Sequence, residues 1–190
     1  MTGDYLTNQF LVAMPTLGDP NFAQTVTLVC EHNKDGALGI VINRPMEMAI
    51  SAVFEQLDLA AQDLRLRDQP VLRGGPVAPE RGFVVHPPVG DPGRPYDATL
   101  AVSPHLHVTT SRDVLAAIAR GEAPPHALVA LGYAGWGAGQ LEEEIRSNAW
   151  LNVPVDDAIL FHTPYSDRWR AAVKLLGIDS DRLSRQAGHA

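Results

Sequence analysis

The chain has one cysteine, Cys30, among 190 residues, so an intrachain disulfide is excluded. That scarcity fits a reducing compartment. Long apolar runs are also missing, and nothing approaches the roughly 20 residues that a membrane helix needs. Met1-Thr2-Gly3-Asp4-Tyr5 lacks a basic cluster. The apolar stretch 10–14 is shorter than a signal core and is stopped by Pro15, so a cytoplasmic location is expected. Positive charge is scarce too. With 15 Lys+Arg against 22 Asp+Glu, the net charge is −7, which argues against a protein that coats nucleic-acid phosphates. What is present is globular: 45% hydrophobic and 19% charged residues. At roughly 150 residues per domain, one domain is expected, here spanning 1–178, with a loosely held tail over 179–190.

Hydrophobic periodicity predicts strands at 10–14, 25–32 and 37–43. The last two are joined by the turn residues Asn33-Lys34-Asp35-Gly36 into the clearest hairpin of the chain, which Arg44-Pro45 ends. Ile50, Val53, Phe54 and Leu57 recur at helical spacing, with Ser51 or its predecessors as the cap. Short strands follow at 71–73 and 82–86, then a Pro/Gly-rich exposed loop over 87–96, expected to be mobile. Strands at 99–102 and 107–109 lead to a helix over 112–120, capped by Thr110 or Ser111 and stopped by Gly121. A strand at 127–131 runs into a loop, 132–139, in which four of eight residues are glycine, and then a helix over 140–148. A strand at 150–153, a helical turn at 156–161 and a helix at 167–176 close the pattern. This irregular interleaving points to an α+β fold.

Each chemically suggestive cluster has an ordinary structural counterpart. Gly135, Gly137 and Gly139 stand between a strand and a helix, where backbone N–H groups can face an anion. Their spacing fits no dinucleotide or phosphate loop, and Glu142, Glu143 and Glu144 would repel phosphate, so a tight turn under Trp136 is the better reading. Arg65, Arg67, Arg73 and Arg81 gather positive charge around Gly74-Gly75, but Asp63, Asp68 and Glu80 make a salt-bridged surface the safer expectation. His105 and His107, and Cys30 and His32, are spaced to share a strand face as metal pairs do, but a metal needs a third and fourth ligand, for which His86 or Asp97 would be guesses. No metal or cofactor is expected. Cys30 reads as a buried hydrophobe unless His32 lowers its pKa.

The blocks Ala13-Met14-Pro15, Asp19-Pro20-Asn21-Phe22, Glu31-His32-Asn33, Gly36-Ala37-Leu38-Gly39 and Asn43-Arg44-Pro45 resemble the AlgH/YqgE family of bacterial proteins. So do Gly74-Gly75-Pro76-Val77, Arg81-Gly82-Phe83, His86, Thr110-Ser111-Arg112-Asp113, the run Gly132–Glu142, Asn148-Ala149-Trp150-Leu151 and Phe161-His162-Thr163-Pro164. The resemblance implies a single α+β domain whose strongly bent mixed sheet forms a pseudo-barrel flanked by helices. It brings no established activity. The family's description as a transcriptional regulator of alginate synthesis rests on genetic association. Asn43, Arg44, Gly74, Gly75, His86, Ser111, Gly135, Trp136 and Gln140 are the resulting candidate ligand-binding residues. Arg44, His86, Trp136 and Gln140 are expected to meet at one cleft suited to a small anionic or aromatic ligand, or to a peptide. The alternative is a buried polar network.

Two functions compete. The first is a non-enzymatic regulatory or binding protein acting through a partner protein or small ligand. The second is an enzyme using His86 as acid/base beside Trp136. Direct DNA binding ranks last, because no helix-turn-helix signature and no basic helix is present. Oligomeric state is not legible.

Overall fold

The computed structural model describes residues 5–15, 17–60, 64–89, 96–122 and 124–186. The strands are β1 (Gln9–Ala13), β2 (Val26–Asn33), β3 (Gly36–Val41), β4 (Pro45–Ala49), β5 (Pro70–Arg73), β6 (Val77–His86), β7 (Thr99–Ser103), β8 (Leu106–Thr109), β9 (Leu128–Gly137) and β10 (Trp150–Pro154). They form one sheet in the order β10-β1-β2-β3-β9-β6-β8-β7. A branch joins it where β5 pairs antiparallel with β4 and parallel with β9. The remaining pairings are antiparallel. The architecture is therefore a single α+β domain with a mixed sheet.

The sheet curls into a half-barrel, with β7 and β10 as its edges. Val102 of β7 and Leu106 of β8 reach one interior with Phe10 and Val12 of β1 and Val26 and Leu28 of β2. Register shifts in β2, β6 and β7 supply local bends, as extra residues on one strand do. The helices α5 (Asp157–Phe161) and α6 (Arg168–Leu175) close that interior, with Leu160, Trp169 and Val173 pointing in. Each fully buried side chain of this size contributes about 1.5–3 kcal/mol.

The outer face carries two further apolar clusters, so several strands are buried on both sides. Helices α1 (Ile50–Gln56) and α3 (Arg112–Ala119) cover Val71, Val84 and Val129. Helix α4 (Gln140–Arg146) seats Leu141 against Leu11, Ala13, Val29, Trp136 and Trp150. Near-continuous apolar strands such as Phe10-Leu11-Val12-Ala13 follow from this, alternate residues facing opposite cores.

Several expectations need correction. Arg44-Pro45 does end the hairpin, but Pro45 also opens a further strand outside the expected elements, β4, where it stands opposite Leu72. The N-cap of α1 is Ala49, one of the residues before Ser51, and it makes no side-chain cap bond. Residues 132–137 are not a loop, since β9 runs through them to Gly137. Gly132, at φ 77°, reverses the alternation: Leu128 and Ala130 face the interior, whereas Ala134 and Trp136 face α4. In the segment read as a loose tail, Ser180–Gln186 form helix α7, and residues 187–190 lie outside the described set. Most of the expected mobile loop, residues 90–95, also lies outside it. The short helix α2 (Leu64–Arg67) has no counterpart among the expected elements.

Candidate functional site

The β2–β3 hairpin places Asn43 and Arg44 at the point where the chain leaves the half-barrel and turns into β4. Asn43 is structural at both ends of its amide: Oδ1 accepts from the Val26 amide at 2.9 Å, and Nδ2 donates to the Gln24 carbonyl at 2.9 Å. Arg44 donates Nη2 to the carbonyls of Ala23 (2.6 Å) and Pro20 (3.4 Å). These are neutral partners, so its charge is oriented without being neutralised.

Across the ladder, the Arg73 amide donates to the Arg44 carbonyl at 2.8 Å, which puts the two arginines opposite each other. Like charges directly opposite on a sheet are destabilising. Both line a depression of about 600 Å³, with Pro20, Asn21, Val41, Pro45, Met46, Gly75, Pro76, Pro79 and Leu131. No carboxylate belongs to that lining, in a chain whose net charge is −7. Of the two candidate glycines, Gly75 lines this depression and Gly74 does not; Gly74 is packed into the sheet behind it. The Gly74 carbonyl accepts from Val41, and its amide donates to Leu131, each at 2.8 Å. A Cβ on Gly74 would meet the Gly132 carbonyl oxygen at 2.3 Å.

The four residues expected at one cleft are separated. Arg44 lines two depressions, and His86, Trp136 and Gln140 line neither. Trp136 and Gln140 do meet, through Glu144. The Trp136 indole donates to Glu144 Oε2 at 2.7 Å, the Trp150 indole to the same oxygen at 2.9 Å, and Gln140 Nε2 to Oε1 at 3.1 Å. Phe22 packs edgewise on Trp150. Trp136 is 7% exposed and Trp150 1%, so this is largely a buried polar clamp under α4. Gly135, exposed beside it, pairs with Leu38 on β3. Sequence alone does not single out Glu144, because three adjacent glutamates read as a solvated helix start.

His86 is 1% exposed, at the end of β6. Its Nδ1–H donates to the Pro87 carbonyl at 2.8 Å. In the neutral ring, Nε2 then accepts from the Thr109 hydroxyl at 2.7 Å, and Thr109 is in turn bonded to Thr99 at 2.8 Å. Burial pushes the imidazole below its ordinary value of 6.5; the Pro87 bond opposes this, and nearby His107 adds to it. The folded state thus favours the neutral ring and binds fewer protons than the unfolded state just below that value. Stability from this site is complete above about pH 6.5 and declines as pH falls toward the lower folded pKa. Urea midpoints measured from pH 7.5 to 5 should show this decline, and His86→Phe should flatten that part of the profile.

Ser111 precedes α3 as expected, but its hydroxyl donates to Asp113 (2.5 Å) and accepts from the Ala98 amide (3.0 Å), tying the residue just before β7 to the helix start. Cys30 and His32 do not face each other. The register shift between Val29 and Glu31 breaks the alternation. Cys30 stays in the interior, where burial raises its pKa, and His32 bonds Glu142 of α4 at 2.9 Å. No group of three potential metal ligands occurs among the described residues. Arg67 pairs with Asp68 at 3.5 Å, whereas Arg81 lies over the Phe83 ring; Asp63 lies outside the described residues, as does the Arg65 side chain. No described helix is long and apolar enough to cross a membrane.

Arg168, which no sequence motif marks, is a buried cation. Nε donates to the Thr163 carbonyl (2.9 Å), Nη1 donates to the Ile42 carbonyl (2.5 Å), and the guanidinium lies over the Tyr165 ring. Burial lowers its pKa to about 10. It staples α6 to the sheet.

Comparison with known proteins agrees with this architecture. A UPF0301 protein of Methylococcus capsulatus is 54% identical over 186 residues, 98% of this chain and 97% of that protein. The solution structure of the AlgH protein from Pseudomonas aeruginosa is 49% identical, with a TM-score of 0.78, covering 100% of this chain and 98% of that one. The crystal structure of DIP2367 from Corynebacterium diphtheriae, at 21% identity and TM-score 0.72 over 92% of this chain and 88% of that one, shares the fold. The sequence profile described as AlgH-like matches residues 10–181, and the chain belongs to that family.

Proposed function

We propose that this is a non-enzymatic binding protein, cytosolic and regulatory, that receives an anionic group of a small ligand or partner protein between Arg44 and Arg73. The observation that carries the reading is the opposed arginine pair. Two arginines joined by a backbone hydrogen bond line one depression without a carboxylate, on an acidic protein. Such an arrangement has an electrostatic cost when empty that an anion removes. Proline, methionine and leucine walls suit an apolar portion beside the charge. An acid/base role for His86 has less support, because its ring is buried and both nitrogens are engaged. A nucleic-acid duplex would need positive charge spread along a face rather than concentrated in one depression.

Binding of citrate and inorganic phosphate, followed by calorimetry and amide NMR, tests this. Shifts should centre on residues 41–46 and 73–76. Arg44→Gln or Arg73→Gln should weaken binding at least tenfold, as expected when a charge-assisted bond of about 1.5–3 kcal/mol is removed. Arg73→Gln should also leave thermal stability unchanged or slightly raised, since it removes the repulsion. Absence of binding, or binding indifferent to both substitutions, would overturn the reading.

A further inference from the structure

A second cavity, of about 400 Å³, lies on the outer face of the sheet between α1 and α3. Its origin is a missing side chain. Gly82 and Val84 point to the same face of β6, opposite Leu131 and Val129 of β9. Val84 and Val129 are buried under the helices, but a Cβ on Gly82 would find only Leu131 Cδ2, at 3.9 Å. Above this gap the helices are tied where Arg112 of α3 donates to the carbonyl of Leu57, the residue that ends α1. Val53, Leu57, Leu115, Leu131 and Met48 line the cavity, each only partly buried. Apolar surface concentrated around one concavity is the mark of a ligand site.

We infer that this cavity binds a small, flat, apolar acid, an aromatic or short acyl carboxylate, with its hydrocarbon over Gly82 and its charged head toward Arg112. The volume admits a small molecule but not a helix about 10 Å wide. Polar groups gather where Thr110, Ser111 and Arg112 enter α3. The Arg112 guanidinium has a neutral carbonyl partner and no carboxylate partner among the described residues. Glu80, the acidic residue of the lining, lies on the other side of Gly82 along β6 from Val84, whose ladder partner is Thr109. An anionic head is therefore favoured at the Arg112 end.

The probe is 1-anilinonaphthalene-8-sulfonate, an aromatic anion with a large apolar portion, added to the intact folded protein. Its fluorescence should rise, and methyl NMR shifts should map to Val53, Leu57, Leu115, Val129 and Leu131. Gly82→Leu fills the gap and should lower affinity at least tenfold without loss of cooperative unfolding. Val53→Phe narrows the same space from α1 and should do likewise, which keeps the test intact if the first variant folds poorly. Arg112→Gln should weaken binding three- to tenfold, while Arg73→Gln should leave it unchanged. No fluorescence rise, methyl shifts elsewhere, or native affinity in both filled variants would overturn the proposal.

Discussion

Gly75→Ala should lower stability by more than about 4 kcal/mol, a large part of the roughly 5–15 kcal/mol that keeps a domain folded. A Cβ at this position would lie 2.1 Å from the Tyr133 carbonyl carbon, 2.2 Å from its oxygen and 2.4 Å from the Ala134 nitrogen. All three are backbone atoms of β9, which is hydrogen-bonded to β3, β5 and β6 and cannot withdraw without breaking ladders. Gly18→Ala is the control, since a methyl group there would have nothing within 4 Å. That change should be neutral or stabilising by up to about 1 kcal/mol, through loss of unfolded-state freedom. Urea denaturation of both variants decides the matter, and similar midpoints would refute the close-packing account.

Glu144→Leu is the second large effect. It leaves two buried indole N–H groups without an acceptor, each costing about 1–3 kcal/mol, so a combined loss of about 3 kcal/mol or more is expected. Glu144→Gln retains an acceptor oxygen and should lose roughly half as much. Glu143→Leu, one position away, removes only an exposed pair with Arg146 and should change stability by less than about 0.5 kcal/mol. The three substitutions share a helix and differ in what they touch. Chemical denaturation read by tryptophan emission separates them, and equal losses at 143 and 144 would show that the indole clamp contributes nothing.

Much of the fold is legible in the sequence because its signals are local. The β2–β3 hairpin announces itself through alternating Val26, Leu28 and Ile40, Ile42 around an Asn-Lys-Asp-Gly turn, and Gly121 and Gly177 mark helix ends at positive φ. The misses occur where one residue does two jobs. Gly132 looks like loop punctuation, yet it kinks a continuous strand and lets the Gly75 carbonyl approach from a distant part of the chain. One extra residue in β2 moves His32 off the face of Cys30, and strict alternation cannot foresee a bulge. At the candidate site, Arg44 is identifiable from sequence, but its opposition to Arg73 depends on β4, a strand hidden behind Pro45. The expected cleft fails for a related reason. Its members sit in motifs that look equivalent along the chain, but His86 ends β6 beside β8 and the start of β9, whereas Trp136 lies near the far end of β9 against β3.

The pairing of β1 with β10, Gln9 opposite Pro154 and Ala13 opposite Trp150, also governs how the molecule reaches its native state. The first strand is completed only by the last, so during translation β1 and β2 must wait with an unfinished edge. Contacts this distant in sequence slow folding by raising contact order. The waiting hairpin, apolar on both faces, is the segment a nascent chain must keep from associating with its neighbours until synthesis has passed residue 154.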